Sequence, residues 1–173
     1  QLMNFNGVKE FVLNKFKREL DPNLTYHSID HTLDVMESAE RLAKDENVNG
    51  TDIQLLKTAA LFHDLGFLTT YDGHEEKSIA YAEEILPMYS YSEEDIEIIK
   101  GMIKSTEIPQ SPTTHLEKIL ADADLDYIGR EDIFIIGQRL QYEWKMVGRI
   151  STLREWHEKQ LAFLKAHSYF TKS

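Results

Sequence analysis

A histidine and an aspartate stand side by side at the end of an apolar run, Ala59-Ala60-Leu61-Phe62-His63-Asp64-Leu65-Gly66. Burying an imidazole and a carboxylate together at the end of a core helix is costly unless something compensates both. A divalent cation does so, because neutral imidazole and carboxylate are both common metal ligands. Three other stretches carry donors of the same kind. His27 and His31 are spaced i, i+4 around a helix start near Ser28, so His31 lies within the helix. His27 reads as a helix-entry residue or the partner of a ligand. His74, with Glu75 and Glu76, opens a later helix. Asp122 and Asp124 interrupt the apolar turn Ile119-Leu120-Ala121-Asp122-Ala123-Asp124-Leu125. Two residues apart on a helix, they face about 200° apart, so only one can point at a shared centre. His115, His157 and His167 lack such neighbours and read as surface residues, while Trp144 and Trp156 fit core packing.

Helices must bring these donors together. Large side chains at three- and four-residue spacing predict an amphipathic helix over 5–20, ended by Asp21-Pro22-Asn23. The next runs from about 28 to 46, closed by Asn49-Gly50, where glycine tolerates the left-handed conformation. Thr51-Asp52-Ile53-Gln54 has the pattern of a capping box and opens the helix that ends in His63-Asp64. A loop is expected over 66–73 and helices over 75–86 and 92–104, with acids after Ser92 in the first turn. A loop over 105–112 precedes a helix over 113–127, and two further helices follow over 131–148 and 152–168. Ile133-Phe134-Ile135-Ile136 alone could be a strand, but Leu140, Trp144 and Val147 continue a helical period. No segment alternates with period two and no hairpin dipeptide separates such runs. The expected fold is an all-α, single-domain bundle of seven or eight helices spanning 1–173, its motif-bearing core at about 26–130 and the helices of 131–168 packed on it.

At 173 residues with 42 % apolar side chains, the chain can bury a real hydrophobic core. No apolar run approaches the length of a membrane span and no secretory signal pattern opens the chain. Cysteine is absent, which removes disulfides and thiolate metal sites and fits a cytoplasmic location. A formal charge of −11 repels nucleic acid and anionic lipid, so a nucleic-acid scaffold is an unpromising partner. A small anionic substrate stays compatible if a bound metal supplies local positive charge.

The order His … His-Asp … Asp, spread over three helices, resembles the HD-domain superfamily of metal-dependent phosphohydrolases. The resemblance rests on Tyr26-His27-Ser28-Ile29-Asp30-His31-Thr32, on Leu61-Phe62-His63-Asp64-Leu65-Gly66, on Gly73-His74-Glu75-Glu76-Lys77-Ser78-Ile79-Ala80 and on Leu120-Ala121-Asp122-Ala123-Asp124-Leu125-Asp126-Tyr127-Ile128-Gly129. It implies an all-α fold and a divalent metal (manganese, iron, zinc, cobalt, nickel or magnesium) held by His31, His63, Asp64 and one aspartate of the 122–126 cluster. Ala123-Asp124-Leu125 matches the way several branches write the last motif and favours Asp124; Leu120-Ala121-Asp122 also fits and keeps Asp122 as the alternate. Some branches hold a second metal with further histidines. Here the corresponding stretch reads Ile103-Lys104-Ser105-Thr106-Glu107, which favours one tight site.

The activity so implied is hydrolysis of a nucleotide or other small phosphate ester by a metal-activated water. Asp64 would orient that water, Glu75 or His74 would act as general acid, and Lys104, Thr106 and Arg130 would contact phosphate. Two imidazoles argue against magnesium as the tight ion. The rival from another class is a regulatory or sensory module that keeps the metal without turnover, and a third is a purely structural helical interaction domain. The chain opens on Gln1-Leu2-Met3 rather than an initiator methionine, as expected of a piece of a longer signalling protein.

Overall fold

The structure, a computed structural model, describes residues 2–173. Its α-helices follow in the order α1 (Phe5–Glu19), α2 (Ile29–Asp45), α3 (Gly50–Phe62), α4 (His74–Ile85), α5 (Glu93–Ser105), α6 (His115–Asp124), α7 (Ile133–Met146) and α8 (Leu153–Ala166). Short 3₁₀ turns occupy Leu65–Leu68, Leu86–Tyr89 and Asp126–Gly129, and no strand occurs among the described residues. The all-α expectation holds, Ile133–Ile136 included. None of the described helices is long and apolar enough to cross a membrane.

α3 is the axis of the bundle. From Leu55 to Phe62 almost every residue is buried, which is the mark of a helix surrounded on all sides. Val8, Val12 and Phe16 of α1, Val35, Ala39 and Leu42 of α2, Ile99, Met102 and Ile103 of α5, and Ile119 and Leu120 of α6 form one core with it. Burying a Leu, Ile or Phe side chain of this kind stabilises the fold by roughly 1.5–3 kcal/mol. A second, smaller cluster joins Leu140 of α7 and Trp156 of α8 to Tyr26, Leu125, Tyr127 and Ile150. Trp144 and Trp156 meet edge to face there at 5.4 Å, in the packing role expected of them.

The helix ends correct two expectations. Asn49, not Thr51, caps α3: its side chain accepts from the Asp52 amide and donates to the Asp52 carboxylate. Asparagine is as strong a cap as threonine, and starting at Gly50 adds hydrogen-bonded residues to the helix. α2 therefore does not close on Asn49-Gly50. It ends at Asp45, and the left-handed residue beyond it is Asn47, at φ 59°. α5 does open with a capping box, between Ser92 and Asp95. α6 is shorter than expected and ends at Asp124, where the chain tightens into the 3₁₀ turn of Asp126–Gly129.

Candidate metal centre

α2, α3 and α6 converge on four side chains. His31 comes from the first turn of α2, His63 and Asp64 from the C-terminal end of α3, and Asp124 from the last residue of α6. One ligand atom of each lies within 4.8 Å of all the others. Asp124 Oδ1 is 3.0 Å from His31 Nε2 and 3.2 Å from His63 Nε2, and Asp64 Oδ2 is 3.3 Å from both. His63 Nδ1 donates to the Ala60 carbonyl at 2.6 Å, which turns Nε2 toward the cluster, the nitrogen whose lone pair a cation would take. Tyr26 packs its buried ring 4.6 Å from that of His31 and restrains it from the other side.

The set fits a divalent cation. Asp64 Oδ2 is buried and has no hydrogen-bond partner, an expense that a carboxylate ligand would not incur. Burial opposes charge on His63, yet the Asp64 and Asp124 carboxylates outweigh it and raise its pKa well above the ordinary value. Burial likewise pushes Asp64 and Asp124 upward, but the His63 charge overrides it at both. His74 adds to the effect at Asp64 and His31 at Asp124, and both carboxyls sit well below the usual range. Two imidazole nitrogens and two ionised oxygens are a donor set for a first-row transition ion more than for magnesium.

Close backbone packing presents this cluster. The Gly66 amide donates to Ser78 Oγ at 2.8 Å, and Ser78 Oγ donates to the His63 carbonyl at 2.9 Å, locking α4 against the end of α3. A Cβ on Gly66 would collide with the His74 carbonyl oxygen and lie 2.9 Å from the Ser78 nitrogen, so only glycine fits. The turn after it places Phe67 between two imidazoles, 3.9 Å from His27 and 3.9 Å from His74.

Asp64 and Asp124 open onto a cavity of about 370 Å³. His27, Tyr71, His74 and Glu75 line one side, and Leu140, Trp144 and Phe163 of the α7–α8 pair line another. A larger groove of about 990 Å³, bordered by Asp34, Arg41 and Asp122, lies elsewhere and contains none of the four cluster residues. The smaller cavity is the one with chemistry at its floor.

The HD domain, compared as a family, matches residues 28–126, more than half of the chain. The chain belongs to the HD-domain family. HD domains bind divalent metals, and His31, His63, Asp64 and Asp124 form a cluster able to hold one. A protein described as a predicted HD superfamily hydrolase, from an uncultured Thermotogales bacterium, has a similar crystal structure. Its TM-score is 0.60 and its identity 26 %, over 91 % of each chain. A Lactobacillus plantarum structure shares the fold, with a TM-score of 0.56 and 24 % identity over 83 % of this chain and 64 % of the other. An uncharacterised protein of Clostridium beijerinckii is 37 % identical over 87 residues, 49 % of this chain and 55 % of the relative. The chain thus spans about half the length of that curated relative.

Of the residues expected at the HD-domain site, the structure gathers most. His74 Nε2 is 3.3 Å from Asp64 Oδ1, and His74 Nδ1 is 3.4 Å from Glu75 Oε2. Thr106 borders the cavity, although its hydroxyl donates to the Ile103 carbonyl. Asp122 turns away, as the 200° argument requires of one of the pair: its carboxylate accepts from the Phe170 and Thr171 amides and from the Thr171 hydroxyl. Asp124 alone faces the cluster.

Two expected phosphate contacts are not at the cavity. Lys104 is ion-paired with Glu76 and Glu107 on the exposed side of α5. Arg130 is held by both oxygens of Asp34 and by Asp132, because a guanidinium matches a carboxylate bidentately and leaves little reason to point elsewhere. His167 is half-buried rather than superficial, stacked on Phe163 with its Nε2 unpartnered.

Sequence reasoning missed Glu143. This fully buried carboxylate on α7 accepts from the Tyr26 and His27 amides, from His27 Nδ1 at 2.6 Å and from the Tyr71 hydroxyl at 2.7 Å. Burial pushes its pKa up, but the His27 bonds prevail and hold it below the usual range. Burial, joined by the same carboxylate, pushes the Tyr71 phenol well up. The available signal was an acid on the apolar stripe of α7, between Leu140 and Val147.

Proposed function

We propose that this HD-domain chain is a phosphohydrolase that cleaves a nucleotide or another small phosphate ester, with His31, His63, Asp64 and Asp124 as ligands of one tightly held divalent metal. The observation that carries the reading is the partnerless Asp64 oxygen in a four-donor cluster at the floor of a cavity large enough for a mononucleotide-sized ligand. When bound there, a divalent metal supplies a lowered pKa for coordinated water and polarises a phosphoryl oxygen.

The chain's own residues supply the rest. Asp64 Oδ1, with His74 Nε2 at 3.3 Å, forms an acid–base pair that can orient a water and accept its proton. His27 is the stronger candidate for donating a proton to the leaving oxygen, ahead of Glu75. Its Nδ1 proton is fixed by Glu143, which has only lone pairs to offer, so Nε2 is the nitrogen left for the cavity it lines.

Elemental analysis before and after reconstitution with manganese tests the reading, followed by phosphate release from a panel of mono- and diesters. About one equivalent of metal, lost in His63→Ala, together with turnover of at least one ester class, is the expected result. Stoichiometric metal without turnover on any ester would instead support the regulatory module, and absence of metal under both conditions would refute both.

A further inference from the structure

Lysine and arginine are scarce around the cavity. Asp64, Asp72, Glu75, Glu107 and Asp124 all border it, and among the described residues Arg149 is the one Lys or Arg side chain that does. An anionic ligand entering this acidic mouth needs a positive group besides a metal. Arg149 follows Gly148, whose φ of 80° turns the chain out of α7, and its backbone carbonyl accepts from Lys159 Nζ at 2.8 Å. The guanidinium lies 4.8 Å from the centre of the Tyr71 ring. Tyr71 in turn is anchored to Glu143, so the plane on which Arg149 rests is fixed.

Its acidic partner is weak. Arg149 pairs with Asp72, a side chain 87 % exposed, whereas Arg130 is clamped by Asp34 and Asp132. An exposed pair of this kind contributes little and is readily exchanged for a better anion. Beside it, Leu140, Trp144 and Phe163 offer an apolar, largely aromatic wall with no charge of their own.

We propose that Arg149 is the substrate-anion residue of this cavity: it leaves Asp72 to bind non-bridging oxygens of a phosphate ester whose flat organic group packs against Trp144 and Phe163. This rests on the phosphohydrolase reading for the identity of the anion, but it is tested without turnover. The probe is phenylphosphonate, which has no ester bond to hydrolyse, titrated into the manganese-reconstituted full chain and followed by calorimetry and by tryptophan fluorescence.

Arg149→Ala should bind it about ten- to a hundred-fold more weakly, the loss expected of a charge-assisted hydrogen-bonded pair. Arg149→Lys should fall between, since it keeps charge and loses the fork. Asp72→Asn, which removes the competing anion, should bind several-fold more tightly. Benzyl alcohol, which carries the ring without the charge, should show no dependence on Arg149. Affinity for phenylphosphonate unchanged in both Arg149→Ala and Asp72→Asn, with metal content intact, would overturn the proposal. So would turnover of phosphate esters with no phenylphosphonate binding by the unaltered protein. Arg149-dependent binding with no ester hydrolysed would leave the anion site standing and remove the hydrolase reading alone.

Discussion

Replacing Glu143 by glutamine is the most informative single change to this protein. The carboxylate receives four hydrogen bonds, two at Oε1 from the Tyr26 and His27 amides and two at Oε2 from His27 Nδ1 and the Tyr71 hydroxyl. Glutamine keeps the acceptor for the first two and sets an NH₂ against the second two. Hydrogen bonds to a charged group contribute about 1.5–3 kcal/mol and neutral ones nearer 1, so the change costs roughly 0.5–2 kcal/mol per bond. Tyr71 and His27 can each recover part of this, by rotating the hydroxyl and by moving the ring proton to Nε2. A net destabilisation of about 2–4 kcal/mol is then expected, a fall in Tm of about 4–16 °C for a domain of this size. With the carboxylate gone, the His27 ring loses the partner that fixes its Nδ1 proton and its orientation, and turnover should fall about 10²-fold or more. Metal content should not change, because Glu143 touches none of the four cluster residues. Thermal denaturation by circular dichroism, elemental analysis and phosphate release on the same preparation read all three quantities. Wild-type Tm together with wild-type turnover would refute the assignment of Glu143 as the anchor of His27.

Other expectations are equally direct. Asp124→Asn should lose bound metal, whereas Asp122→Asn should keep it and lower Tm by about 2–8 °C, through weakened bonds to the Phe170 and Thr171 amides; loss of metal in the Asp122 variant alone would reverse the ligand assignment. Gly66→Ala drives a methyl into the backbone at His74 and Ser78, which cannot swing aside as a side chain can, so a cost of about 3 kcal/mol or more and a Tm lower by at least ~6 °C are expected by calorimetry. Because the folded pKa of Glu143 lies below its ordinary value of 4.5, its stabilisation is complete above that pH and is lost as pH falls through the lowered folded value. The difference in unfolding midpoint between wild type and Glu143→Gln should therefore shrink below about pH 4.5, and a gap that widens toward acid would contradict the sign.

Much of this was legible in the sequence because it depends on local pattern. The period of apolar residues in α3 and the His-Asp step at its end specify both a buried helix and what it presents. Asp124 could be separated from Asp122 by geometry only to the extent that one of them must turn away. Which one turns depends on the pairing of Asp122 with Phe170 and Thr171, nearly fifty residues on, and no local rule reports that. Lys104 and Arg130 show the opposite failure. Their positions after the right motifs suggested phosphate contacts, but nearby carboxylates captured them, and competition among charges is invisible until the elements are packed. Glu143 and Arg149 were missed for the same reason as Asp122 was ambiguous, since their partners lie on distant elements. The helix caps at Asn49 and Thr51 were a closer contest between two residues of similar capping strength, settled by the two extra helical residues that the earlier start allows.

The apolar wall of the cavity and the bundle around α3 belong to separate hydrophobic clusters. Asp64 on the cavity floor follows the end of α3, the axis of the large core, while Leu140, Trp144 and Phe163 belong to the satellite cluster of α7 and α8. The stretch that matches the family ends at residue 126, before α7 begins. The apolar side chains that would grip a ligand's organic half, Leu140, Trp144 and Phe163, can thus be varied apart from the core packing around α3. Glu143, on the same helix as Leu140, must stay to hold His27. Such a division makes the scaffold modular: one cluster holds the helix that carries the donors while the other shapes the space in front of them. It also names a library for engineering, since diversity confined to Leu140, Trp144 and Phe163 should change selectivity before it changes stability of the core.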